Sequence, residues 1–94
     1  MFARVARFEN IDMSNIDEQI AEMKDMDTPP GLEDATGFMH LIDREKGTAL
    51  GIVFFGDEDG LRRGDEALNA MSPPDGAGSR TDVEMYEVAI RQEA

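Results

Sequence analysis

The chain has 94 residues and a formal net charge of −12, from 21 acidic against 9 basic residues. That length fits one domain spanning residues 1–94, and that charge repels phosphate backbones and anionic lipid surfaces, which argues against nucleic acid or a membrane as partner. Cysteine is absent, which removes disulfides, thiolate nucleophiles and cysteine-ligated zinc.

Residues 2–8, FARVARF, alternate with period two and predict a first strand. Phe2, Arg4, Ala6 and Phe8 fall on one face; Ala3, Val5 and Arg7 fall on the other. Ser14 reads as a helix N-cap with Asp17 three residues later, a weak capping box. Ile16, Ile20, Met23 and Met26 follow at helical spacing. Thr28-Pro29-Pro30-Gly31 stops this helix, because proline lacks the N–H and disfavours helix before it. Residues 32–35 read as a short polar connection.

The second strand is predicted over residues 36–44. Phe38, His40 and Ile42 share one face, and Met39 and Leu41 the other. Asp43 to Gly47 is a turn, with Gly47 suited to a positive φ. The third strand covers residues 48–55, where Leu50, Ile52 and Phe54 oppose Ala49, Val53 and Phe55. Asp57 caps a second helix over residues 57–71, with Glu58 and Asp59 in its first turn. Its buried stripe is Leu61, Gly64, Leu68 and Met71. Gly60 and Gly64 are poor helix formers, and close approach of helix to sheet explains them. Arg62 and Glu66 have the spacing of an i,i+4 pair. Ser72-Pro73-Pro74 ends this helix, and a glycine-rich loop over residues 75–79 leads to a last strand over 81–91. There Val83, Met85 and Ala89 oppose Tyr86, Val88 and Ile90.

The order β-α-β-β-α-β predicts an α+β, ferredoxin-like fold: a four-stranded antiparallel sheet with two helices on one face. The helices can cover only that face. Strands two, three and four are nevertheless apolar on both, where a solvated face would alternate cleanly. A second copy packed sheet to sheet is the simplest cover, so the residues themselves predict a homodimer.

The stretch over residues 37–61, GFMHLIDREKGTALGIVFFGDEDGL, resembles the antibiotic-biosynthesis-monooxygenase-like superfamily of dimeric α+β barrels. The residues that carry the likeness are Gly51-Ile52-Val53-Phe54-Phe55 followed by Asp57-Glu58-Asp59, and the closing Val83-Glu84-Met85-Tyr86-Glu87-Val88-Ala89 suits the family's last strand. The resemblance implies a dimeric α+β barrel with a ligand cavity between helices and sheet. The sequence departs from the pattern at three points, one from the family at large and two from its haem-degrading branch. The frequent strand-three tryptophan falls at Phe55, the second helix has no histidine to ligate iron, and the branch's strand-one asparagine falls near Ala6, with Asn10 beyond it. A non-haem-degrading member, with no cofactor, is the expectation.

The candidate polar contacts are His40, Tyr86 and Arg4, and the candidate apolar wall is Phe38, Phe55 and Met39. His40 is the only histidine; its ordinary pKa suits acid–base work, but alone it cannot build a multi-histidine metal site. The commoner role of such a residue is structural, as it is for a buried tyrosine with a bonded hydroxyl. Arg4 and Arg7 need partners if buried, and Asp82, Glu84 or Glu87 on the adjoining last strand could supply them. Asp57-Glu58-Asp59 is explained by a helix start, without metal. Two function classes remain open. One is a dimeric protein that binds a small apolar or aromatic ligand without turnover. The alternative is a cofactor-independent monooxygenase acting on a small aromatic substrate. In both readings the chain is a soluble cytoplasmic protein: no apolar run reaches the roughly 18 residues of a membrane span, and the charged first twenty residues lack the uninterrupted apolar segment of a secretory signal.

Overall fold

The computed structural model describes residues 1–25, 31–71 and 78–92. Its elements are β1 (Phe2–Glu9), a 3-10 turn (Met13–Asn15), α1 (Ile16–Asp25), β2 (Ala35–Asp43), β3 (Thr48–Phe55), α2 (Glu58–Asn69) and β4 (Ser79–Glu87). The strands form one sheet in the order β2-β3-β1-β4, with every neighbouring pair antiparallel. The fold is the α+β, ferredoxin-like arrangement, with both helices packed on one face. The predicted stops at 28–30 and 72–74, the end of the helical stripe at Met26 and most of the glycine-rich loop lie outside the described residues.

Alternation places the side chains as the period-two pattern requires. On the helix face, Phe2, Arg4, Ala6 and Phe8 of β1 lie opposite Phe55, Val53, Gly51 and Ala49 of β3. Phe38, His40 and Ile42 continue the same three rows on β2, opposite Val53, Gly51 and Ala49. A bulge between Ala35 and Gly37 corrects the register, so that Ala35 lies opposite Phe55.

The helix face carries two apolar clusters, one under each helix. Under α2, Leu32, Val53, Phe55 and Leu61 pack with Phe2, Ala35 and Leu68. Phe55 is 0% exposed and is the largest fully buried side chain. Under α1, Ile11, Ile16 and Ala49 pack with Phe8, Met13, Ile20 and Ile42. Leu32 was expected in a polar connection and is instead core, because the chain returning from α1 lays it beneath α2.

The close approach expected from the helix glycines is present. A Cβ on Gly64 would overlap the Cζ and Cε1 atoms of the Phe55 ring, so α2 can sit on this fully buried phenyl only with hydrogen at that position. Gly47 has φ 68, and its carbonyl accepts from the Ile11 N–H at 3.1 Å, which ties the β2–β3 turn to the end of β1. Asp57 is the α2 cap, accepting the Gly60 N–H at 2.7 Å.

Three boundaries moved for local reasons. α1 starts at Ile16 because Asp12, rather than Ser14, is the capping acceptor. Its Oδ1 receives the Ser14 N–H at 3.1 Å and the Ser14 hydroxyl at 2.6 Å, and residues 13–15 wind as a 3-10 turn. β4 ends at Glu87 rather than 91, because β1 runs out: the Val88 N–H reaches Met1 O at 2.9 Å, at the start of β1. Met71, expected in the buried stripe, lies past the end of α2 and is exposed.

Candidate functional site

The six candidate residues do not converge on one place. Arg4 and Phe55 are buried between the sheet and α2. Phe38 and His40 lie on the helix face of the edge strand β2. Met39 and Tyr86 lie on the opposite face of the sheet, at its two edges.

Arg4 is 3% exposed on the central strand β1. A guanidinium so placed must be paired, because the interior cannot solvate it. The expected strand partners do not supply the pairing. Arg4 Nε donates to Asp65 Oδ1 at 2.8 Å and Nη2 donates to Asn69 Oδ1 at 3.0 Å. Asp65 and Asn69 are four residues apart and so lie on one side of α2, above β1. That i,i+4 pair of polar residues on a helix face directed at the sheet was the sequence signal for them. Arg7 projects to the other face, where its Nε lies 3.7 Å from Glu9. Arg4 is thus a bolt between sheet and helix.

Phe38 and His40 stack with ring centroids 6.3 Å apart and planes 23° apart. Both lie beyond the cover of the two apolar clusters, and Phe38 is 59% exposed. His40 is half-buried opposite Gly51, and loss of solvent lowers its pKa from the ordinary value. Its imidazole is therefore neutral at neutral pH and can accept a proton or a hydrogen bond. The pair offers a flat aromatic platform with one polar edge.

The face away from the helices is left bare by both of them. Met39, Leu41, Leu50, Ile52, Val5 and Tyr86 form its apolar field across all four strands. Met39, Leu41 and Tyr86 are exposed, although each is a large apolar or aromatic side chain. Two concavities open on this face: one of about 330 Å³ beside Val5, Arg7, Leu50 and Tyr86, and one of about 210 Å³ beside Arg7, Leu41 and Leu50. At one end the segment after β4 crosses back. The Arg91 guanidinium stacks 4.8 Å from the centre of the Phe54 ring, which is thereby buried, and Ile90 is left exposed. Sequence reading missed this contact, because nothing in the spacing of Phe54 and Arg91 marks a pair brought together across two strands.

At the β4 edge of the same face, Asp82 and Glu84 stand two residues apart. Asp82 is the register partner of Arg7 and Glu84 that of Val5. The Glu84 carboxyl is raised above the usual carboxylate range. The cause is first a hydrogen bond shared with the Asp82 carboxyl, then loss of solvent, then the charge of Asp82. Among the described residues, no group of three or more histidine, cysteine or acidic side chains is placed to hold a metal ion, and no helix is long and apolar enough to cross a membrane.

No protein-family model matches the chain, and no curated protein matches it.

Proposed function

We propose that the protein works as a homodimer whose two sheets pack face to face, each copy binding a small apolar or aromatic ligand without turning it over. The observation that carries this reading is the uncovered apolar face. Among the described residues there are two α-helices, and both lie on the other side. Side chains of this size left in water cost roughly 25 cal/mol per Å² of apolar area relative to burial. A second sheet has the flatness and pleat spacing to match, as in two-layer sheet packing. The resemblance to the antibiotic-biosynthesis-monooxygenase-like superfamily belongs to the same reading, as does the cytoplasmic location expected from the sequence.

With that face covered, Phe38 and His40 on the helix side remain open to a ligand. An aromatic ring stacks on Phe38, and the neutral His40 accepts a hydrogen bond from a phenol or an amide. Stacking of this kind contributes about 1 kcal/mol beyond buried area. Titrating the fluorescent aromatic probe anilinonaphthalene sulfonate into Phe38→Ser should therefore give at least about fivefold weaker binding than wild type. Equal affinity in the two proteins would remove Phe38 from the site.

The second reading, a cofactor-independent monooxygenase acting on a small aromatic substrate, is favoured by one observation: His40 is a neutral base beside an aromatic surface. Such chemistry needs a base to take the substrate proton before the carbanion meets oxygen. Oxygen consumption with hydroquinones or anthrones that disappears in His40→Ala would establish turnover; no consumption above that variant leaves the binding protein.

A further inference from the structure

Asp82 and Glu84 are carboxyl groups set in the face assigned above to the partner, and the consequence rests on that assignment. They line the same concavity as Val5, Leu50 and Tyr86. The charged and titratable groups around them come from each neighbouring element. From β1 there is Arg7, opposite Asp82, whose own Nε already lies 3.7 Å from Glu9. From β4 there is the Tyr86 hydroxyl. Arg80 is turned away, with its Nη1 donating to the Leu68 carbonyl of α2 at 3.0 Å. From the segment after β4, Arg91 is engaged over Phe54. Asp43 of β2 is spent on the turn, accepting the Glu45 and Lys46 N–H groups at 3.1 Å each. Among the described residues, one cation, shared with Glu9, therefore faces two neighbouring carboxyls.

We propose that this pair makes the association of two copies proton-linked, so that the dimer tightens as the pH falls and loosens as it rises. The physical cause is desolvation. A partner sheet laid over the face removes water from Asp82 and Glu84, and two adjacent carboxylates in a dry gap repel each other, whereas a pair that holds one proton forms a hydrogen bond. The free chain already leans this way, since the neighbouring Asp82 carboxyl makes Glu84 harder to ionise than an ordinary glutamate. Covering the pair strengthens both causes. The dimer then binds more protons than two separate chains, and linkage requires its dissociation constant to fall as protons become available.

Sedimentation analysis of the full chain at several pH values tests this. The dissociation constant is expected to be at least about tenfold lower near pH 5 than near pH 7.5, which corresponds to net uptake of at least a fraction of a proton per dimer. Asp82→Asn with Glu84→Gln should flatten the dependence and tighten the dimer at the higher pH. Removing two charges elsewhere, with Glu18→Gln and Glu22→Gln on the exposed side of α1, should leave the slope in place; this separates the local pair from the general relief of a −12 charge. A dimer whose affinity does not change with pH, or one that weakens in acid because a partner arginine holds the pair ionised, overturns the linkage while leaving the dimer standing. A monomer at every pH overturns both.

Discussion

Replacing Asp65 with leucine is expected to destabilise the fold by about 3 kcal/mol, the lower end of what breaking a buried ion pair costs. The reason is what remains behind. Arg4 is 3% exposed, and without Asp65 its Nε loses the acceptor at 2.8 Å while its charge stays in the interior. Asn69 keeps only the single bond to Nη2. The double replacement Arg4→Met with Asp65→Leu should recover most of the loss, because an apolar pair of similar volume removes the charge together with its partner. Urea denaturation of the two single variants and the double variant measures the coupling. Additive losses would mean that the pair does not act as a unit.

Phe55→Ala is expected to cost about 3–5 kcal/mol. Its ring is fully buried, and it is the surface on which Gly64 lets α2 rest. Deleting it opens a cavity between β3 and α2, bordered by Leu32, Val53 and Leu61. A domain of this size has only about 5–15 kcal/mol of stability in all. The variant should therefore show a thermal midpoint lower by more than about 10 °C, or fail to fold at growth temperature. A fall of only a few degrees would show that α2 settles onto the sheet to close the gap.

Phe55 also shows how far the sequence could be read. Alternation along β3 set it with Ala49 and Val53, opposite Leu50, Ile52 and Phe54, and the poor helix propensity of Gly60 and Gly64 pointed to a close approach of helix to sheet. Period-two and period-3.6 patterns report which face a residue occupies, and they placed the sheet, both helices and the register of faces. They do not report which residue of a distant element arrives above a given strand position. Arg4 was expected to find an acid on β4 because those strands adjoin, yet its partners are Asp65 and Asn69 on the helix above. Leu32 reads as part of a polar connection because Glu33 and Asp34 follow it, yet it fills a gap under α2. Arg91 and Phe54 meet only because the chain folds back after β4.

The candidate site was legible in the same uneven way. Alternation correctly put Phe38 and His40 together and Met39 apart from them. It could not indicate that Arg4 would be consumed by an ion pair, which removes it from the residues able to meet a ligand. Nor could it indicate that Tyr86 would stand on the uncovered face with Met39, at the opposite edge of the sheet. The face itself was the clearest inference, because it required only that apolar residues recur at both parities along three strands.

The mass in solution tests that inference most directly. Sedimentation equilibrium of the full chain at micromolar concentration should give twice the 10.4 kDa chain mass, and Ile52→Asp, which sets an uncompensated charge in the middle of the uncovered face, should return it to the monomer. A wild-type protein that sediments as a monomer at that concentration would contradict the account.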